Sequence, residues 1–87
     1  IAAMGAKATS LLVSFTLPRN ATSQLARELF EGICEIAEHF QVSIAGGDTN
    51  CWDGPLNICI TAIGEVRNNE VWRRGGAKAG DLAVVTG

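Results

Sequence analysis

The sequence predicts an α/β fold of the two-layer α+β kind, a mixed sheet packed under one long helix, and three patterns carry that prediction. From Gln24 to Phe40 the apolar residues Leu25, Leu29, Ile33, Ile36, Ala37 and Phe40 recur at three and four. Arg27, Glu28, Glu31, Glu35 and Glu38 fill the other side, so the stretch reads as one amphipathic helix. From Leu56 to Val66 the apolar Leu56, Ile58, Ile60 and Ala62 alternate with Asn57, Cys59 and Thr61, which is the period of a strand. Between and around these segments, short apolar runs end on proline or glycine, as buried strands do.

In chain order, Ile1-Ala2-Ala3-Met4 resembles the last turn of a helix stopped at Gly5. Ser10 to Leu17, with Val13, Phe15 and Thr16, is too short for a helix and is closed by Pro18, so it reads as a strand. Asn20 to Ser23 supply turn and N-cap candidates before the helix. Val42 to Ala45 is a short buried strand that runs out at Gly46-Gly47, and Asn50 to Pro55 is a polar loop carrying Trp52. After the Leu56 to Val66 strand, Asn68-Asn69 signals a turn and Val71-Trp72-Arg73 offers a short strand. Gly75-Gly76 and Gly80-Asp81 bracket a further turn before Leu82 to Val85. The expected order is β-α-β-β-β.

Bulk properties narrow the possible functions. A chain of 87 residues has room for one small domain, which buries only about two thirds of its unfolded surface. A composition 47% hydrophobic and 18% charged, with a mean hydropathy of +0.19, is that of a globular chain rather than a disordered one. A formal charge of −2 and a pI near 5.2, with basic residues scattered except at Arg73-Arg74, leave no electrostatic footprint for nucleic acid. No run approaches the roughly 18 apolar residues that span a bilayer, and the N-terminus lacks a signal-peptide layout, so a cytoplasmic location is expected, with no membrane partner. Cys34, Cys51 and Cys59 are odd in number and have no CxxC spacing, which argues against a disulfide framework or a zinc site. Both ends look cut, so the expectation is an internal fragment of a longer protein.

Gly46-Gly47-Asp48-Thr49 is the segment richest in chemistry. Glycine lacks Cβ, so the backbone there can approach an anionic ligand closely, and Asp48 can give one oxygen to a hard cation such as Mg²⁺. The same tetrapeptide is also ordinary turn chemistry. Neither the phosphate loop G-x-x-x-x-G-K-[ST] nor the dinucleotide G-x-G-x-x-G occurs, so any phosphate would be held by glycine backbone, metal and arginine. Asp48 and Arg74 are the candidate pair, Arg74 through a forked contact with phosphate oxygens. His39 is assigned no chemistry, Trp52 and Trp72 read as packing or interface residues, and Lys78 and Asp81 read as turn residues.

Taken in order, Ile1-Ala2-Ala3-Met4-Gly5-Ala6, Gly46-Gly47-Asp48-Thr49, Gly54-Pro55-Leu56, the segment Arg73-Arg74-Gly75-Gly76-Ala77-Lys78-Ala79-Gly80-Asp81, and Val85-Thr86-Gly87 resemble the thiamine-monophosphate kinase family. That family belongs with aminoimidazole ribonucleotide synthetase, selenophosphate synthetase and a hydrogenase-maturation protein. The resemblance implies that residues 1–87 are part of an N-terminal ATP-binding domain and that the C-terminal domain is absent. It implies ATP- and Mg²⁺-dependent phosphorylation of thiamine monophosphate to thiamine diphosphate by a cytoplasmic homodimer whose N-terminal domains pair their sheets. By position, Gly47 and Asp48 match the family's nucleotide and metal site, and Arg74 matches its phosphate-binding arginine. Where the family commonly reads Gly-Gly-Asp-Thr-Thr-Arg-Gly-Pro, here Asn50-Cys51-Trp52-Asp53 intervene before Gly54-Pro55, which lengthens the loop and removes its arginine. The fragment alone is expected to be inactive. The alternatives are a non-catalytic α/β module that assembles through its sheet, or another ATP-using enzyme of the same superfamily.

Overall fold

In the computed structural model, which describes residues 1–85, a twelve-residue central strand organises everything else. This strand, β1 (Lys7–Pro18), alternates strictly at its core: Val13, Phe15 and Leu17 are 5–6% exposed, Ser14 and Thr16 between them are half-buried, and Leu12 just before them is 41% exposed. The buried set faces the helix α1 (Ser23–His39), whose Ala26, Leu29 and Ile33 pack against it. The sheet order is β2-β1-β3, with β2 (Ser43–Trp52) parallel to β1 and β3 (Asn57–Glu65) antiparallel to it. A helix is the connection a parallel neighbour requires, and a short return suffices for the antiparallel one. The expected mixed sheet under one long helix is therefore what forms.

Both ends of α1 are closed by local hydrogen bonds. Thr22 is the N-cap, its Oγ1 accepting from the Leu25 N–H at 3.2 Å. At the other end the Val42 N–H donates to Ala37 O at 2.8 Å and the Gln41 N–H to Glu38 O at 2.9 Å, with Gln41 at φ 54. That is a Schellman closure with glutamine in the left-handed position usually given to glycine. It turns the chain directly from helix into β2, and buries Ala37 and Val42 at the turn.

Three expectations need correction. Gly46-Gly47-Asp48-Thr49 is not a turn, and Asn50 to Trp52 are not loop, because all lie inside β2. Turn chemistry is overridden there by the parallel ladder with β1, a non-local pairing that supplies the backbone partners. The fifth-element strand is not formed: Val71-Trp72-Arg73 and Leu82 to Val85 join no sheet among the described residues. The Trp72 N–H instead donates to Met4 O at 3.1 Å, which ties this segment back to the short 3-10 turn Ala2–Met4. Thr86 and Gly87, the end of the Val85-Thr86-Gly87 motif, lie outside the described residues.

Candidate functional site

Strand periodicity sorts β2 into two faces. Gly47, Thr49 and Cys51 stand opposite Val13, Phe15 and Leu17, on the side covered by α1. Gly46, Asp48, Asn50 and Trp52 stand opposite Leu12, Ser14, Thr16 and Pro18, on the uncovered side. From β3, Cys59 and Asn57 complete the rows through Ser14 and Thr16. The uncovered face thus presents Asp48-Ser14-Cys59 in one row and Asn50-Thr16-Asn57 in the next. It is a polar surface on the back of an apolar one.

The glycines serve this geometry. Leu11 pairs with Ile44 and Leu12 with Gly46, so Ala45 is an extra residue, a bulge that re-aims the strand just before Asp48. Two residues later β2 lies so close to β1 that a side-chain carbon at Gly47 would overlap the Val13 carbonyl. Gly47 is therefore demanded by the packing of β2 on β1, whatever else it touches.

Asp48 is exposed and oriented. Its Oδ1 accepts from the Thr49 N–H at 2.9 Å and its Oδ2 from Asn50 Nδ2 at 2.6 Å. Each oxygen accepts one of these hydrogen bonds and keeps a further lone pair, so the carboxylate fits one position of a hard cation's shell. No group of three or more His, Cys, Asp or Glu that could hold a metal occurs among the described residues. Asp48 would share a cation with water and phosphate oxygens or with residues outside this set. A cleft of about 370 Å³ opens beside it, lined by Val13, Phe15, Phe30, Ile44 and the stretch from Gly46 to Thr49.

Arg74 lies elsewhere. It sits exposed in a turn closed by Gly76 N–H to Arg73 O at 3.1 Å, two residues past the Trp72 anchor on Met4. That anchor is at the beginning of β1, whereas Asp48 is opposite Ser14. Lys7 to Ser14 alone spans about 23 Å at the rise of a strand. The chain does not bring Asp48 and Arg74 together. His39 is exposed in the last turn of α1, edge-on to Phe40 at 4.9 Å. Lys78 and Asp81 form the expected turn, the Lys78 N–H donating to Asp81 Oδ2 at 2.8 Å.

Sequence reasoning missed the end of the uncovered face. Thr16, Trp52 and Asn57 line a second cleft of about 260 Å³ there. The signal was available: period two, continued past Gly46-Gly47 instead of stopped there, places Asp48, Asn50 and Trp52 on one side.

The model of the family described as AIR synthase related protein, N-terminal domain, matches residues 1–66. Among curated proteins, the thiamine-monophosphate kinase of Rhodopirellula baltica is 48% identical over 87 residues, covering 100% of this chain and 27% of the relative. That of Bacillus subtilis is 34% identical over 87 residues, with the same 100% and 27% coverage. The chain therefore spans about a quarter of the length of the curated relatives it matches. Among solved structures, thiamine monophosphate kinase from Aquifex aeolicus superposes with a TM-score of 0.78 at 21% identity, over 87% of this chain and 25% of that one. HypE of E. coli superposes at 0.81 and 23% identity, over 92% and 26%. At those identities the superpositions show a shared fold.

Proposed function

The chain belongs to the AIR synthase related protein N-terminal domain family, and from that membership we propose that it is the nucleotide-site portion of a thiamine-monophosphate kinase. The observation that carries the reading is the match of the whole chain to curated kinases of that name, at up to 48% identity among those cited above. The position of Asp48 supports it, since an exposed carboxylate fixed by two hydrogen bonds stands on the uncovered face of the sheet.

In the proposed reaction an oxygen of the acceptor's phosphate forms a bond to the γ-phosphorus of ATP. The bond from that phosphorus to the β–γ bridging oxygen breaks, leaving ADP and thiamine diphosphate. Such a transfer needs in-line positioning and charge neutralisation more than covalent chemistry. Asp48 would hold one position on Mg²⁺, which when bound neutralises charge on the phosphate oxygens. The Thr49 and Asn50 hydrogen bonds fix the direction in which Asp48 presents its free lone pairs. Gly47 lets β2 sit close to β1 and so sets where that carboxylate stands. Arg74 would meet the same phosphates only from a second copy, in a cytoplasmic homodimer, or after the segment 66–85 repositions. Residues 1–87 alone would carry no transfer activity.

The test is Asp48→Asn in the full-length enzyme. Transfer to thiamine monophosphate should fall by at least the roughly 10- to 100-fold that outer-shell partners of a metal are worth. The thermal midpoint should stay in place, because Asp48 is exposed and supports no packing. Unchanged turnover at saturating Mg²⁺ would remove Asp48 from the site.

A further inference from the structure

We propose that Trp52 is a platform for the planar, cationic ring system of the acceptor, a subsite at the far end of the face that carries Asp48. The inference rests on the kinase reading above and adds to it the surface that recognises the organic half of the substrate. Trp52 stands in the Asn50-Cys51-Trp52-Asp53 segment, where this chain departs from the Gly-Gly-Asp-Thr-Thr-Arg-Gly-Pro pattern of the family it resembles.

The ring is held rather than loose. Its Nε1–H donates to Pro55 O at 2.8 Å, and its backbone carbonyl accepts from the Arg19 N–H at 2.9 Å. Arg19 in turn grips the next residue, Nε to Asp53 Oδ1 at 2.8 Å. Gly54 lies against the six-membered part of the indole, where any side chain would come within 2.7 Å of Cε2 and Cζ2. A glycine at this place lets the indole lie flat on the backbone. Yet 43% of the residue remains exposed, and it borders the cleft of about 260 Å³ with Thr16 and Asn57. An immobilised indole beside a hydroxyl and an amide, with its surface left open, is the chemistry that takes a planar heteroaromatic ring. The indole is the strongest of the aromatic faces for a cation. Thiamine monophosphate carries a quaternary thiazolium joined to an aminopyrimidine, with the phosphate ester at the other end. Asp48 and Trp52 are four residues apart on one face of β2, about 13 Å at the strand rise, which suits a ligand with its ring at one residue and its phosphates near the other.

The experiment compares Trp52→Leu, Trp52→Phe and the unsubstituted full-length enzyme by steady-state kinetics, by calorimetry with thiamine as the probe, and by thermal melting. Trp52→Leu should raise the KM for thiamine monophosphate and the Kd for thiamine about tenfold, leave the KM for ATP within about twofold, and be largely rescued by Trp52→Phe. An unchanged thiamine Kd in Trp52→Leu overturns the proposal. So does a lowered melting point with acceptor and ATP constants shifting together, since Trp52 is then only a clamp on the β2 to β3 connection. If the unsubstituted enzyme does not phosphorylate thiamine monophosphate, the kinase reading fails by itself. The thiamine calorimetry still decides the platform in that case.

Discussion

The two faces of β1 are made from alternate residues of the same strand and do opposite work. Val13, Phe15 and Leu17 are sealed under α1, and Ser14 and Thr16 stand between them on the uncovered side beside Asp48 and Asn50. Burial on one face supplies the free energy that fixes the backbone. The other face is thereby free to hold polar groups in fixed rows without having to stabilise anything. The covering is also partial. Ile58 and Ile60 of β3 share the Val13 face yet are 42% and 48% exposed. That edge therefore carries exposed apolar surface.

This division predicts that substitutions one residue apart will differ by kilocalories. Phe15→Ala should cost about 3–5 kcal/mol, the range for deleting a buried aromatic ring, and with only five buried apolar residues among the described ones that is enough to unfold the domain. Thr16→Ala, its neighbour on the other face, should stay within about 0.5 kcal/mol. Urea denaturation of the two variants measures the contrast. Equal losses would mean that the uncovered face is packed against something in solution and that the two faces are not distinct.

A smaller effect is expected where the faces meet the backbone. Gly47→Ala forces a methyl group into the Val13 carbonyl, so β2 must move off β1, at about 1–3 kcal/mol if other overpacked sites are a guide. Because Asp48 follows directly, the shift should lower transfer activity as well as the melting point. A stable Gly47→Ala enzyme with full activity would show that β2 has slack that this geometry does not allow.

The same contrast explains what could be read before the structure. α1 was legible to within a residue at each end, because its stripe is local and Thr22 and Val42 mark its closure. The β3 strand was legible because its alternation is complete within nine residues. The length of β2 was not, since Gly46-Gly47-Asp48 has turn composition and only pairing with a strand some thirty residues earlier holds it extended. Asp48 was singled out from its chemistry and its place in the motif, and Asn50, Thr16 and Trp52 were not joined to it because their shared face follows from the extended strand. The separation of Asp48 from Arg74 was illegible for the same reason. Spacing along a chain carries no information on which end of a sheet a tail returns to.

The smallest expected effect tests whether the covered face can be strengthened without touching the other. Gln41 holds the left-handed position at the end of α1, φ 54, where a Cβ costs energy that glycine avoids. Its side chain is exposed, and its backbone N–H already donates to Glu38 O, a bond that glycine keeps. Gln41→Gly should therefore stabilise the fold, by about 0.5–1 kcal/mol once the greater freedom of glycine in the unfolded chain is subtracted. The gain would appear as a higher urea midpoint with an unchanged slope. Asp48 lies beyond the Ala45 bulge, on the uncovered side, so the KM values for ATP and thiamine monophosphate should not move. A change in either constant would mean that strain at the helix end is transmitted along β2 to Asp48, and that the two faces are coupled through the strand they share.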